Sequence, residues 1–140
     1  MHASITKINS DNESMYNTPP TFAIYVAGLI YKWILKEGGL EAIEKRNEEK
    51  AKMIYDMLDT SKNFVTVVDK QWRSRMNVTF LLKDANKENQ LLQDAKKQSI
   101  IEIKGHRSVG GMRVSLYNAI SVEMTRKLVQ VLKQFDEANV

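Results

Sequence analysis

Gly105-His106-Arg107-Ser108-Val109-Gly110-Gly111-Met112-Arg113 is the stretch on which the reading of this sequence turns. Three of the six glycines, two of the six arginines and one of the two histidines fall within these nine residues. Adjacent glycines let the backbone take conformations that side chains resist, so residues 104–112 read as a loop. The segments on either side, residues 100–103 and 113–116, are short, β-branched and apolar and read as strands. A loop so built can bring His106, Arg107 and Arg113 to one point. The planar fork of an arginine binds carboxylate or phosphate with two parallel bonds, which lysine cannot do. Two forks and an imidazole suit a small dianion or a phosphorylated acid. The plainer reading, a glycine turn with solvent-facing cations between two strands, stays open on the residues alone.

Outward from the loop, residues 64–68 and 76–82 read as two further strands. Residues 86–98 form a weaker helical pattern with Leu91, Leu92 and Ala95 on one side. A long helix is expected over residues 40–59, turning Leu40, Ile43, Ala51, Ile54, Met57 and Leu58 inward and Glu41, Lys45, Glu48, Glu49 and Lys52 to solvent. A closing helix over residues 121–139 takes Ser121 as its N-cap and buries Val122, Leu128, Val129, Leu132 and Phe135. With a helix over residues 21–37 the order is α-α-β-β-α-β-β-α. That order suits an α/β (α+β) domain with helices on one face of a small, largely antiparallel sheet.

The helix over residues 21–37 is apolar nearly all round. Phe22, Val26, Leu29, Ile30 and Trp33 lie on one side, and Ile24, Tyr25, Tyr31 and Leu35 on the other. Such a helix is expected to be covered on most sides, and by more protein than this chain supplies. Its apolar run is short of the ~18 residues of a membrane span and contains Lys32. Gly38-Gly39 is expected to end it. Just before it, Asn17 and Thr18 precede Pro19-Pro20 at a helix start. An amide, a hydroxyl and free N–H groups there make a phosphate perch. The plainer reading is that one of them caps the helix. Residues 1–16 read as an irregular lead-in, with His2 disordered at the terminus. Trp33 and Trp72 read as packing residues.

Composition bounds the rest. The chain has 140 residues, 43% hydrophobic and 27% charged, enough for one domain with its own core. No cysteine is present, which removes thiol nucleophiles and thiolate metal sites. No second histidine joins His106 at ligand spacing, so no metal is expected. The net charge is +4, but fifteen lysines interleave with glutamates and no aromatics alternate with them. That is a solvated helix face, and nucleic acid is not an expected partner. Glu48 and Glu49 are adjacent and point to different sides of a helix, so they are not an acid–base pair. The first fourteen residues hold no apolar leader, and a soluble, cytoplasmic protein without membrane contact is expected.

Several strings, in order, closely resemble the phosphoserine aminotransferase family from about Asn12 to near the C-terminus. They are Ser14-Met15-Tyr16-Asn17-Thr18-Pro19-Pro20-Thr21-Phe22, Lys32-Trp33, Gly38-Gly39, Ser74-Arg75-Met76-Asn77-Val78, Lys104 through the glycine loop to Arg113, and Tyr117-Asn118-Ala119. The resemblance implies the C-terminal small domain of the pyridoxal-phosphate-dependent, aspartate-aminotransferase-like fold over residues 40–140. Residues 17–39 would then be a cofactor-proximal motif and interface helix. It implies a class V enzyme that interconverts 3-phosphohydroxypyruvate and glutamate with phosphoserine and 2-oxoglutarate, a step of serine synthesis. Pyridoxal 5'-phosphate would be the cofactor. The partner would be a second copy of the chain, or a chain carrying the large cofactor domain. By the same resemblance Asn17 and Thr18 reach the cofactor phosphate across the dimer, Arg113 binds the substrate carboxylate, and His106 and Arg107 bind the phosphate or distal carboxylate. The family's Schiff-base lysine lies in a large domain that precedes these motifs, and no lysine here stands in that lysine's motif. The chain alone is therefore expected to be inactive. An interaction or regulatory domain derived from the enzyme is the alternative.

Overall fold

In the computed structural model, which describes residues 2–139, the chain divides into two compact units, Met1–Leu40 and Glu41–Val140. The first contains α1 (His2–Asp11) and α2 (Thr21–Lys36). The irregular lead-in expected over residues 1–16 is thus corrected: its first part, His2 included, has a helical backbone. Nothing between residues 2 and 11 breaks a helix, since neither glycine nor proline occurs there. Lys7 also pairs with Asp11 one turn on, at 2.8 Å. Glu13 and Ser14, at φ 52° and 63°, turn the chain out of α1.

Helix α2 buries none of its residues. Phe22 is 79% exposed and Leu35 74%, on opposite sides of the helix, so its apolar surface is not buried within its own unit. Gly38 and Gly39 follow at φ 102° and 83°, a left-handed pair that no other residue type adopts without strain.

The second unit is built on α3 (Gly39–Thr60), α4 (Glu88–Lys97) and α5 (Val122–Ala138) against three strands, β1 (Phe64–Thr66), β2 (Asn77–Leu82) and β3 (Met112–Ser115). The strands are antiparallel in the order β1-β2-β3, with Phe64 opposite Leu82, Phe80 opposite Met112 and Val78 opposite Val114. Because side chains alternate along a strand, Val78, Phe80, Leu82, Met112 and Val114 all point to one face. There they join Ile54, Leu58, Leu91, Ala95, Leu128, Leu132 and Phe135 in one core. Phe64 centres it, meeting Phe80 edge-on at 5.3 Å and stacking on Phe135 at 5.8 Å. Ser121 caps α5 as expected, its hydroxyl accepting from the Met124 N–H at 3.1 Å.

The strand expected over residues 100–103 does not form. Ser99 and Glu102 take φ values of 62° and 59°, which interrupt an extended backbone. Only Lys104, opposite Met112, pairs as an isolated bridge. Two inward assignments also fail: Leu40 and Trp72 are each 75% exposed.

Two polar clusters lock the connections. Arg73 grips Asp59 with two bonds of 2.8 and 2.7 Å, donates to Thr66 Oγ1 and covers the Tyr55 ring at 4.6 Å. The Arg73 hydrogen bonds hold the Asp59 carboxyl down at about 2, against the upward push of burial. Asp136 of α5 accepts from Ser61 Oγ at 2.7 Å and from the Asn63 main-chain and side-chain N–H groups, each at 2.9 Å. Burial pushes the Asp136 carboxyl up, but these hydrogen bonds outweigh it and its pKa lies below the usual value.

Candidate functional site

The glycine loop folds as a hairpin whose shape depends on three glycines. The Gly105 N–H donates to the Gly111 carbonyl at 2.7 Å, and the Val109 and Gly110 N–H groups donate to the His106 carbonyl at 2.9 and 2.8 Å. A Cβ on Gly105 would lie 2.1 Å from the Gly110 carbonyl oxygen. One on Gly111 would lie 2.4 Å from Leu81 Cδ2, and Gly111 is also at φ 66°. Gly110 needs only its left-handed φ of 79°, since nothing lies within 4 Å of a Cβ there. The sequence thus places its glycines where backbone approaches backbone and where the hairpin packs on β2.

His106 and Arg107 stand exposed at the hairpin tip. The Ser108 N–H donates to His106 Nδ1 at 3.3 Å, and the Ser108 hydroxyl lies 2.7 Å from the same nitrogen. A neutral ring accepting at Nδ1 carries its proton on Nε2, which leaves an N–H donor for an anion. Arg113 belongs to the base of the hairpin. It sits in β3 opposite Thr79, on the face away from the core, and its N–H donates to the Ile103 carbonyl at 2.9 Å. Its strand flanks a groove of about 620 Å³ lined by Arg113, Ser115, Tyr117, Ile101, Ile120 and Met124 among others. His106 and Arg107 do not line that groove. One hairpin therefore carries all three cationic or donor side chains, but at two stations, the tip and the base.

Asn17 and Thr18 belong to the first unit, immediately ahead of α2, and both are exposed. Pro20 takes the N-cap position of α2 and no side chain caps the helix. Among the described residues neither Asn17 nor Thr18 makes a side-chain hydrogen bond, so the capping alternative does not hold. An amide and a hydroxyl left open before a helix start have the donors that a phosphate group takes. The phosphate end of a pyridoxal phosphate would find such donors there.

Lys50 escaped the sequence reading. Its side chain is 0% exposed, and its Nζ donates to the carbonyls of Leu116, Tyr117 and Ile120 at 3.2, 3.0 and 2.9 Å. Burial, with the charge of Arg46 added, lowers its pKa below the usual lysine value. One turn earlier on α3, Asn47 donates to the Asn118 side chain at 2.8 Å. The only signal in the sequence was a helical phase that places positions 43, 47, 50, 54 and 58 on one side. Among the described residues no group of three acidic or histidine side chains could hold a metal, and no helix is long and apolar enough to cross a membrane.

Comparison with known proteins places this geometry. The sequence model for the aminotransferase class-V family matches residues 2–128. The phosphoserine aminotransferase of Paraburkholderia phytofirmans is 50% identical over 131 residues, which cover 94% of this chain and 36% of that protein. The phosphoserine aminotransferase of Burkholderia lata is 50% identical over 126 residues, covering 90% and 35%. Among solved structures, the phosphoserine aminotransferase from Bacillus circulans subsp. alkalophilus superposes with a TM-score of 0.87 at 39% identity, over 96% of this chain and 38% of that one. The PLP-bound phosphoserine aminotransferase of Trichomonas vaginalis gives 0.82 at 43% identity, over 91% and 37%. The chain thus spans about a third of the length of the relatives it matches. With a family match across nearly the whole sequence, the mixed fold of three helices on an antiparallel sheet and the glycine hairpin have one common explanation: the chain belongs to the class-V aminotransferase family.

Proposed function

We propose that the chain is the C-terminal portion of a phosphoserine aminotransferase and supplies its substrate-anion groups. Together with the large cofactor domain of that enzyme, it would exchange the amino group between phosphoserine and 2-oxoglutarate in the cytoplasm. The observation that carries this reading is the hairpin of residues 104–112 with Arg113 at its base. Gly105 and Gly111 are required by close neighbours and Gly110 by its left-handed φ, and the hairpin presents an imidazole and two guanidinium groups to which no carboxylate among the described residues is bonded. The identity of about 50% to named phosphoserine aminotransferases supports the substrate class.

Each side chain then has a task. Arg113 takes the substrate α-carboxylate in its planar fork and fixes the orientation of the amino acid. His106, through Nε2–H, and Arg107 take the phosphate or the distal carboxylate of glutamate. Asn17 and Thr18 hold the cofactor phosphate of the neighbouring subunit in a homodimer, and α2 packs in that interface. When bound, pyridoxal phosphate supplies the electron sink for amino-group transfer. The proton-shuttling lysine belongs to the large domain, so the 140 residues alone are inactive.

The test is Arg113→Ala in a chimera, with this chain in place of the matching segment of the Paraburkholderia phytofirmans enzyme. The KM for phosphoserine and glutamate rises at least tenfold while pyridoxal phosphate affinity stays unchanged. Equal loss of substrate and cofactor affinity overturns the role given to Arg113.

A further inference from the structure

The turn between β3 and α5, residues 116–120, is thinly held by its own backbone. Ile120 N–H donates to the Tyr117 carbonyl at 2.9 Å, and Leu116 N–H to the Met76 carbonyl at 2.7 Å. The side-chain bonds that orient it come from α3. Lys50 offers three N–H donors, and three carbonyls of this one turn take them, at 2.9 to 3.2 Å. Asn47 adds the bond to Asn118 at 2.8 Å. A buried ammonium normally requires a counter-charge. Here carbonyl dipoles meet it, and they all come from a segment that borders the Arg113 groove. Leu116, Tyr117 and Ile120 each line that groove, beside Arg113 and Ser115. Lys50 therefore stands directly behind the wall that a molecule held by Arg113 would face.

We propose that Lys50 is a positioning residue: its buried ammonium fixes the turn of residues 116–120, and so shapes the groove in which Arg113 receives a carboxylate. It touches no ligand and acts through Tyr117 and Ile120. This rests on the reading of Arg113 as a carboxylate site, and goes beyond it by naming a residue that holds part of the groove's lining. A lysine suits the task because its single Nζ donates to three carbonyls that converge on one point, whereas a guanidinium spreads its five donors over a plane.

The chain contains no cysteine, which allows a direct test. Lys50→Met keeps the bulk and removes the charge. Lys50→Cys, alkylated with 2-bromoethylamine in the unfolded chain and refolded, restores an ammonium on a side chain of nearly the same length. Amide hydrogen exchange by mass spectrometry reads the turn, and titration with O-phospho-L-serine, against inorganic phosphate, reads the site. Lys50→Met speeds exchange over residues 116–120 at least tenfold while β1 and β2 keep their protection. It weakens phosphoserine about tenfold and leaves inorganic phosphate unchanged, and the aminoethylated Lys50→Cys chain recovers both. Uniform acceleration across the core overturns the proposal, as does no recovery in the aminoethylated chain. So does unchanged phosphoserine affinity when Arg113→Ala weakens it. If Arg113→Ala itself leaves phosphoserine affinity unchanged, the reading of Arg113 has failed and the proposal falls with it, a result distinct from the others.

Discussion

Gly111 offers the sharpest test of why the hairpin has its sequence. It is buried, at φ 66°, and a Cβ there would sit 2.4 Å from Leu81 Cδ2 and 2.9 Å from the Phe80 carbonyl oxygen. Gly110 beside it, at φ 79°, has open space where a Cβ would go. Gly110→Ala therefore carries backbone strain alone, about 1–2 kcal/mol. Gly111→Ala carries the same strain plus overpacking against β2, which adds about 1–3 kcal/mol. The Leu81 methyl can swing aside, but the Phe80 carbonyl is fixed by the sheet, so the steric part is not fully relieved. The sum for Gly111→Ala is roughly 2–5 kcal/mol. With a urea slope of ~2 kcal/mol/M, the unfolding midpoint falls by about 1–2.5 M, against at most about 1 M for Gly110→Ala. Urea unfolding followed by circular dichroism on both variants reads this difference. A Gly111→Ala chain no less stable than Gly110→Ala refutes the argument that contact with β2 requires this glycine.

Three further outcomes are expected. Asp59 has a folded pKa of about 2, below its unfolded value, so its stabilisation is present above about pH 4 and is lost as pH falls toward 2. The depression converts to roughly 2 kcal/mol at most and nearer 1 after solvent screening, so Asp59→Asn costs about 1 kcal/mol at pH 7 and almost nothing at pH 2 in thermal unfolding. Asp136→Ala strands the donors of Ser61 and Asn63 and costs about 2–3 kcal/mol in urea unfolding at pH 7; a loss under about 0.5 kcal/mol contradicts the role given to that cluster. The uncovered apolar surface of α2 drives self-association of the isolated chain. In sedimentation velocity, Phe22→Ser with Leu35→Ser shifts the chain to smaller species, and an unchanged distribution refutes this.

Much of the fold is legible from periodicity. Helix α5 repeats Leu128, Leu132 and Phe135 at helical spacing, and β2 alternates Val78, Phe80 and Leu82, so a core-facing side follows in each case. Residues 100–103 mislead because Ile100, Ile101 and Ile103 satisfy a strand pattern while Ser99 and Glu102 adopt left-handed backbone, which composition does not signal. Trp72 misleads because its size suggests packing, yet it rides on a short 3-10 turn outside the core. The hairpin is readable from Gly105, Gly110 and Gly111, but its separation of His106 and Arg107 from Arg113 depends on the bridge between Lys104 and Met112, a tertiary detail. Lys50 is hidden for a different reason. Lysine normally marks a solvated face, and only the three carbonyls brought to it by the turn of residues 116–120 reverse that expectation.

The most direct measurement is the half-reaction itself. The purified chain, alone and in the chimera with the rest of the Paraburkholderia phytofirmans enzyme, is mixed with pyridoxal phosphate and phosphoserine, and pyridoxamine phosphate is quantified against a protein-free control. The account predicts no conversion by the 140 residues alone and clear conversion by the chimera. Conversion by the chain alone would mean that one of its own lysines does the chemistry. A folded, cofactor-binding chimera that leaves phosphoserine untouched would mean that this hairpin and groove do not serve a phosphoserine aminotransferase.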